Sequence, residues 1–281
     1  MPLSGCAPAS KPSQAADAAK PVAKAVSTCT GNGCCSGLGM SAQPNVDEFV
    51  KDFKQLQSDW PKLTGDEREQ RLETLANKQL SKSGVPKVGV VPETLPKGNG
   101  GHLDFKNWQL AVNKDQLSAA TLSDAEAKTL ANTVYHESRH AEQWYLMAQR
   151  RAMNGDKASD IRDDMSIPGT VGTAAKLQPL VANSTSAACA QVLHDSVYGA
   201  HAAARNTTLT GVMTELGKLN QANAALDSVN ANPASTPAQK TQAAQNAVAA
   251  RAAFDTAYQK YRALPEEADA FEAGDKVNKA W

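Results

Sequence analysis

The stretch Thr133-Val134-Tyr135-His136-Glu137-Ser138-Arg139-His140-Ala141-Glu142-Gln143-Trp144 decides how this chain of 281 residues is read. It contains the pattern H-E-x-x-H. In a helix, residues four apart share one face, so His136 and His140 could chelate a single zinc ion. Glu137, between them, lies near enough to reach a water on that ion. The helix itself is well signalled. Ser123 and Glu126 spell a capping box, S-x-x-E. Leu130, Val134, Ala141, Tyr145 and Ala148 fall on one narrow stripe at 3.6 periodicity. The stripe lies opposite the two histidines. The expected helix, Ser123 to about Arg151, therefore packs one side into a core and presents the histidines on the other, at the floor of a cleft.

Upstream, residues 85 to 113 change character. Val88 and Val90 alternate, and so do Leu103 and Phe105, then Trp108, Leu110 and Val112. The phase flips across Lys106-Asn107, which predicts a hairpin or bulge in a small sheet of about three strands. The strand from Trp108 to Val112 offers a place for an added peptide strand, although its ordinary role is sheet core. Further back, Asn45 to Leu80 reads as helix. Val46, Phe49, Phe53, Leu56 and Trp60 recur at three-four spacing, Pro61 interrupts them, and a second piece restarts near Asp66. Residues 1 to 44 are rich in Ala, Pro, Ser, Gly and Lys and read as a flexible leader. Cys6, Cys29, Cys34 and Cys35 lie there, and only Cys189 lies in the body. That odd, clustered count does not predict a disulfide framework. The C-x4-C-C spacing fits no common zinc module. Leu3-Ser4-Gly5-Cys6 resembles a lipoprotein cleavage box but lacks the basic and apolar segments that should precede one.

Downstream, residues 154 to 185 read as loop-rich, with Pro168, Gly169, Gly172 and Pro179. Residues 187 to 206 read as helix. Val212, Leu216, Leu219, Leu226 and Val229, then Ala244, Val248, Phe254, Tyr258 and Tyr261, keep helical spacing on either side of the turn at Asn232–Pro237. They predict an antiparallel helical hairpin over about 212–262. Hydrophobic residues make up 41% and aromatics only 5%, so small aliphatics must build the core. With alanine the commonest residue, the expected class is α+β and mostly helical. The 29 basic and 29 acidic residues balance, which argues against electrostatic capture of nucleic acid or an anionic membrane. No apolar run reaches the length of a membrane span. The expected division is a leader, 1–44, and one domain, 45–281, that carries the hairpin as an arm.

Catalytic zinc needs a third protein ligand and an open position. His102, His194 and His201 remain, but no His-x5-His extension follows His140, which excludes the motif with three histidines in one run. A downstream glutamate is then expected. Leu264-Pro265-Glu266-Glu267-Ala268-Asp269-Ala270 is the best candidate, since Pro265 suits a first helical turn. On spacing alone, Glu266 and Glu267 stay open.

The stretch around His136 resembles the active-site helix of zincin-like metallopeptidase domains in bacterial secreted effectors and polymorphic toxins. Those domains often carry a glutamine soon after the second histidine, as Gln143 does, and a late P-x-E-x-x-A element whose glutamate is the third ligand. Pro265-Glu266-Glu267-Ala268-Asp269-Ala270 has that spacing, so the resemblance selects Glu267. It covers about residues 85 to 278, specific at the two motifs and weak between them. The chain departs from the E-x-x-A-D form of related membrane-associated peptidases, because Pro265 takes the glutamate position.

The resemblance implies a zincin-like core holding Zn2+ on His136, His140 and Glu267, with Glu137 as general base. The activity implied is that of a zinc metalloendopeptidase, a hydrolase acting on a protein or peptide. It also implies a toxin or effector made in the cytoplasm without a classical signal peptide and delivered to a target cell, with a secretion-system component and an immunity protein as partners. His194 and Tyr198, which share a helix face, are candidate oxyanion donors. The competing classes are a non-catalytic, zinc-containing or helical binding module acting through the hairpin, and a metal-free structural helix protein. The intact Glu137 argues against both.

Overall fold

A computed structural model describes residues 35–96 and 98–281. Cys6, Cys29, Cys34 and the Leu3–Cys6 box lie outside the described residues. The fold is α+β and mostly helical. Two compact units divide it: the residues up to His194 together with Ala268–Trp281, and the segment Asp195–Glu267.

In the first unit, α1 (Gln43–Asp59) and α2 (Gly65–Leu80) are separated by a single 3-10 turn, Trp60–Lys62, that contains Pro61. Thr64 and Glu67 form the capping box that restarts the chain as α2. Val46, Phe49, Phe53 and Leu56 are the buried stripe of α1. The sheet has three strands, β1 (Gly89–Glu93), β2 (Gly101–Asp104) and β3 (Gln109–Asn113), in the order β1-β3-β2. β3 runs parallel to β1 and antiparallel to β2, with Leu103 opposite Leu110. The phase flip is the β2–β3 hairpin. There the Asp104 carboxylate accepts from the N–H groups of Lys106 and Asn107. β3 is paired on both sides, so it is sheet core and has no edge for an added strand. The short α3 (Lys114–Ser118) follows it.

Next comes α4 (Asp124–Met153), opened by the Ser123–Glu126 capping box. Its first surprise is burial. From Ala141 to Gln149 every residue is buried, and so are all those from Thr133 to His140, histidine face included. The expectation of one buried and one open side is therefore corrected: α4 is a central helix. Phe49 of α1 packs 4.7 Å from Tyr135 on one side, and Phe105 stacks 5.4 Å from Trp144 on another.

Residues 154 to 185, expected to be loop-rich, contain two short helices, α5 (Ala158–Met165) and α6 (Gly169–Leu177). Pro168 stands at the N-cap of α6, where no intrahelical bond needs its N–H. Then come α7 (Thr185–Val197) and, at the chain end, α10 (Pro265–Ala280), which begins at Pro265.

The leader boundary is also corrected. Residues 35–44 are folded, and Cys35, Met40 and Ser41 are buried. Cys35 is disulfide-bonded to Cys189 of α7, across 154 residues of sequence. A pairing that distant leaves no local signal.

The second unit is a helical hairpin. α8 (Ala202–Ala231) packs along α9 (Pro237–Arg262) across the turn 232–236, and Thr236 caps α9. The expected helix 187–206 is broken between α7 and α8, where the His201 N–H reaches back to the Asp195 carbonyl. Phe254, Tyr258 and Tyr261 form a ring ladder with centroids 5.6 and 5.8 Å apart. Among the described residues no helix is long and apolar enough to cross a membrane.

Candidate metal centre

α4 places His136 and His140 one turn apart, with their rings 4.8 Å apart and nearly perpendicular. Their Nε2 atoms lie 3.2 Å from each other. Two nitrogens that close can both reach one metal ion. Glu267, in the first turn of α10, completes the group: one ligand atom from each of His136, His140 and Glu267 lies within 4.8 Å of the others, and all three residues are buried. Two imidazoles and a carboxylate are a donor set suited to a metal ion. Burying such polar groups is costly without a partner to match them. Glu266, the other candidate, is used elsewhere. Its carboxylate pairs with Arg205 and accepts from the Ser196 hydroxyl.

Glu137 stands beside the histidines. One carboxylate oxygen lies 3.9 Å from His136 Nε2. The other accepts the Leu103 N–H at 2.9 Å. Leu103 sits opposite Leu110 in a non-hydrogen-bonded pair, so its N–H points away from β3. The β2–β3 hairpin thus aims one outward donor of β2 at the carboxylate and fixes it.

A polar chain orients His140. Asp269 of α10 can only accept, so it draws the Gln143 amide NH2, at 2.6 Å. That turns the Gln143 carbonyl oxygen toward His140, which donates from Nδ1 at 2.8 Å. With the proton on Nδ1, Nε2 presents its lone pair to the ligand group. Asp269 is gripped in turn by Arg139, at 2.7 and 3.1 Å, and Arg139 also pairs with Glu142. Burial by itself would lower the Arg139 pKa, but Glu142 and Asp269 hold it above its ordinary value. The residue is fully charged in the interior.

The contacts of α10 run antiparallel along α4. Asp269 meets Gln143 and Arg139, Phe271 packs 4.6 Å from His136, and Gly274 comes next. A Cβ on Gly274 would lie 2.9 Å from the Asn132 amide nitrogen, so the Asn132 side chain fills the space that a side chain at 274 would take.

The H-E-x-x-H pattern points to His136, His140 and Glu137, and the resemblance points to Glu267 and Gln143. Arg139, Asp269 and Leu103 carry no such signal in the sequence. The i+3 spacing of Gln143 from His140 was an available signal, because a side chain one turn on can reach the imidazole. His194 lies in the last turn of α7 and Tyr198 just beyond its end, both half-buried. Neither belongs to the ligand group.

No family model, curated protein or solved structure matches this chain.

Proposed function

We propose that the chain is a zinc-dependent peptidase of the secreted toxin or effector kind, with His136, His140 and Glu267 as ligands. The observation that carries this reading is the meeting of those three donors beside the Glu137 carboxylate. When bound, the ion would supply Lewis acidity, which polarises a scissile carbonyl and acidifies water. Glu137, held by the Leu103 N–H, takes a proton from the attacking water and hands it to the leaving amine. His140, locked in one tautomer by Gln143, keeps Nε2 for the ion. His194 and Tyr198 enter as candidate oxyanion donors, a role typically worth about 3–4 kcal/mol. The Cys35–Cys189 bond supports work in an oxidising compartment, where disulfides persist, and so fits delivery outside the producing cytoplasm. A secretion-system component and an immunity protein are the partners this reading expects.

A second reading makes the hairpin a docking arm, favoured by the exposed Met213 and Val248. One pair of variants separates the two. Glu137→Gln should retain bound zinc and lose hydrolysis of an unfolded protein by about 100- to 10,000-fold. Glu267→Ala should lose zinc itself, as read by metal analysis. Full hydrolysis by Glu137→Gln would overturn the peptidase reading.

A further inference from the structure

The segment Cys35–Ser41 lies across both helices that carry ligands. On α4, Arg139 donates to the carbonyls of Leu38 and Cys35, at 3.2 and 3.3 Å. The Met40 N–H donates to Glu142 at 3.0 Å, and Tyr135 donates its hydroxyl to the Met40 carbonyl at 2.6 Å. On α10, Ser36 donates to Glu272 at 2.8 Å, and Lys276 donates to the Ser41 carbonyl at 2.8 Å. Gly39 lets the strap pass. Its φ is +49°, and a Cβ there would lie 1.7 Å from a Glu142 carboxylate oxygen. At its start the strap is anchored to α7 by the Cys35–Cys189 bond.

The strap therefore supplies two of the oxygen acceptors that satisfy Arg139. Arg139 fixes Asp269, Asp269 orients Gln143, and Gln143 sets the tautomer and direction of His140. Asp269 also lies two residues from Glu267 on the same helix. No residue in this chain of contacts is a ligand except at its end.

We infer that Gln143, Asp269 and Arg139 are positioning residues of the metal centre, and that the disulfide-anchored strap sets the centre's metal affinity through them. This rests on the reading of His136, His140 and Glu267 as ligands, but not on peptidase activity. An orienting partner behind a metal-bound histidine is commonly worth 10- to 100-fold in affinity. Cutting the strap loose should act on the same quantity, because Arg139 then loses its carbonyl acceptors and the grip on Asp269 loosens.

The test measures zinc dissociation constants by competition with a chromophoric chelator, on the full chain without substrate. Four proteins are compared: the oxidised chain, Cys35→Ser/Cys189→Ser, Gln143→Leu and the combination. Gln143→Leu should weaken zinc by about 10- to 100-fold, with the far-UV circular dichroism unchanged. The paired serine variant should weaken zinc about tenfold in the native background and by much less when Gln143→Leu is already present. Cobalt(II) in place of zinc should show a shifted visible d–d spectrum in both single variants, a change that loss of global stability alone would not cause. Equal zinc constants with and without the disulfide would overturn the inference while leaving the metal centre standing. So would strictly additive losses. If the serine variant fails to fold, Gln143→Leu in the oxidised chain decides, since an unchanged zinc constant there removes the relay. Absence of zinc binding by the native chain would instead sink the ligand reading itself.

Discussion

α4 and α8 are each 30 residues long, and almost nothing else about them is alike. α4 buries twenty-one of its residues, charged ones included, whereas α8 buries Arg205, Val212 and Leu219. Apart from Arg205, which pairs with Glu266, no polar side chain of α8 is buried, and a hydrogen bond lost at the surface is replaced by water. In α4 each polar side chain needs a named partner, because an unmatched one carries its whole desolvation penalty. Helix length thus says little about what a substitution costs. The partner list says much more.

The largest expected effect follows from Arg139. Arg139→Met would leave Glu142 and Asp269 as facing carboxylates in the interior. Breaking a buried ion pair from one side typically costs about 3–5 kcal/mol. Denaturant unfolding of the metal-free chain should show that loss. A cost under about 1 kcal/mol would erase the contrast between the two helices.

A smaller effect is expected in the hairpin. Thr236 accepts the Gln239 N–H and Gln239 reciprocates, so Thr236→Ala removes the cap of α9. The usual cost is about 1 kcal/mol. Hydrogen exchange should quicken at the first turns of α9 and stay unchanged in α4. Equal quickening in both would show that the two units unfold together.

The smallest effect is a control inside the first unit. Hydrogen bonds from Lys78, then Lys82, hold the Glu48 carboxyl down to about 2 from an ordinary 4.5. A depressed carboxylate stabilises the fold above its unfolded pKa and loses that contribution as pH falls from about 5 through 2. Glu48 is more than one-third exposed, so screening trims its value to a few tenths of a kcal/mol, up to about 1. Glu48→Gln should lower stability slightly at pH 7 and leave it nearly unchanged at pH 2. A loss rivalling that of Arg139→Met would mean that burial is not what separates costly positions from cheap ones.

The parts legible in the sequence are those with local causes. Ser123 and Glu126 mark the start of α4, Pro265 marks the start of α10, and the phase flip at Lys106-Asn107 marks the β2–β3 hairpin. The meeting of His136 with His140 follows from helical spacing. What stayed hidden depends on distant partners. Periodicity assigned the polar face of α4 to solvent because nothing near Arg139 announces Asp269, 130 residues on. Pro168 and Gly169 look like breakers, and only packing makes them the start of α6. Gly39 resembles the filler of a disordered tail, and its need becomes visible only once Glu142 lies beneath it.

Gly274 carries a mechanical consequence. Two rods that touch at one point pivot about it, and α10 meets Asn132 of α4 at a residue with no side chain. Glu267 sits seven residues back, nearly two full turns, on the same side of that rod. At 1.5 Å per residue the lever arm is about 10 Å. A methyl group at the fulcrum would first have to push the Asn132 amide aside, and only what that side chain could not absorb would tilt α10. The seating of α10 on α4 is therefore gauged in part by one hydrogen atom and the amide that faces it.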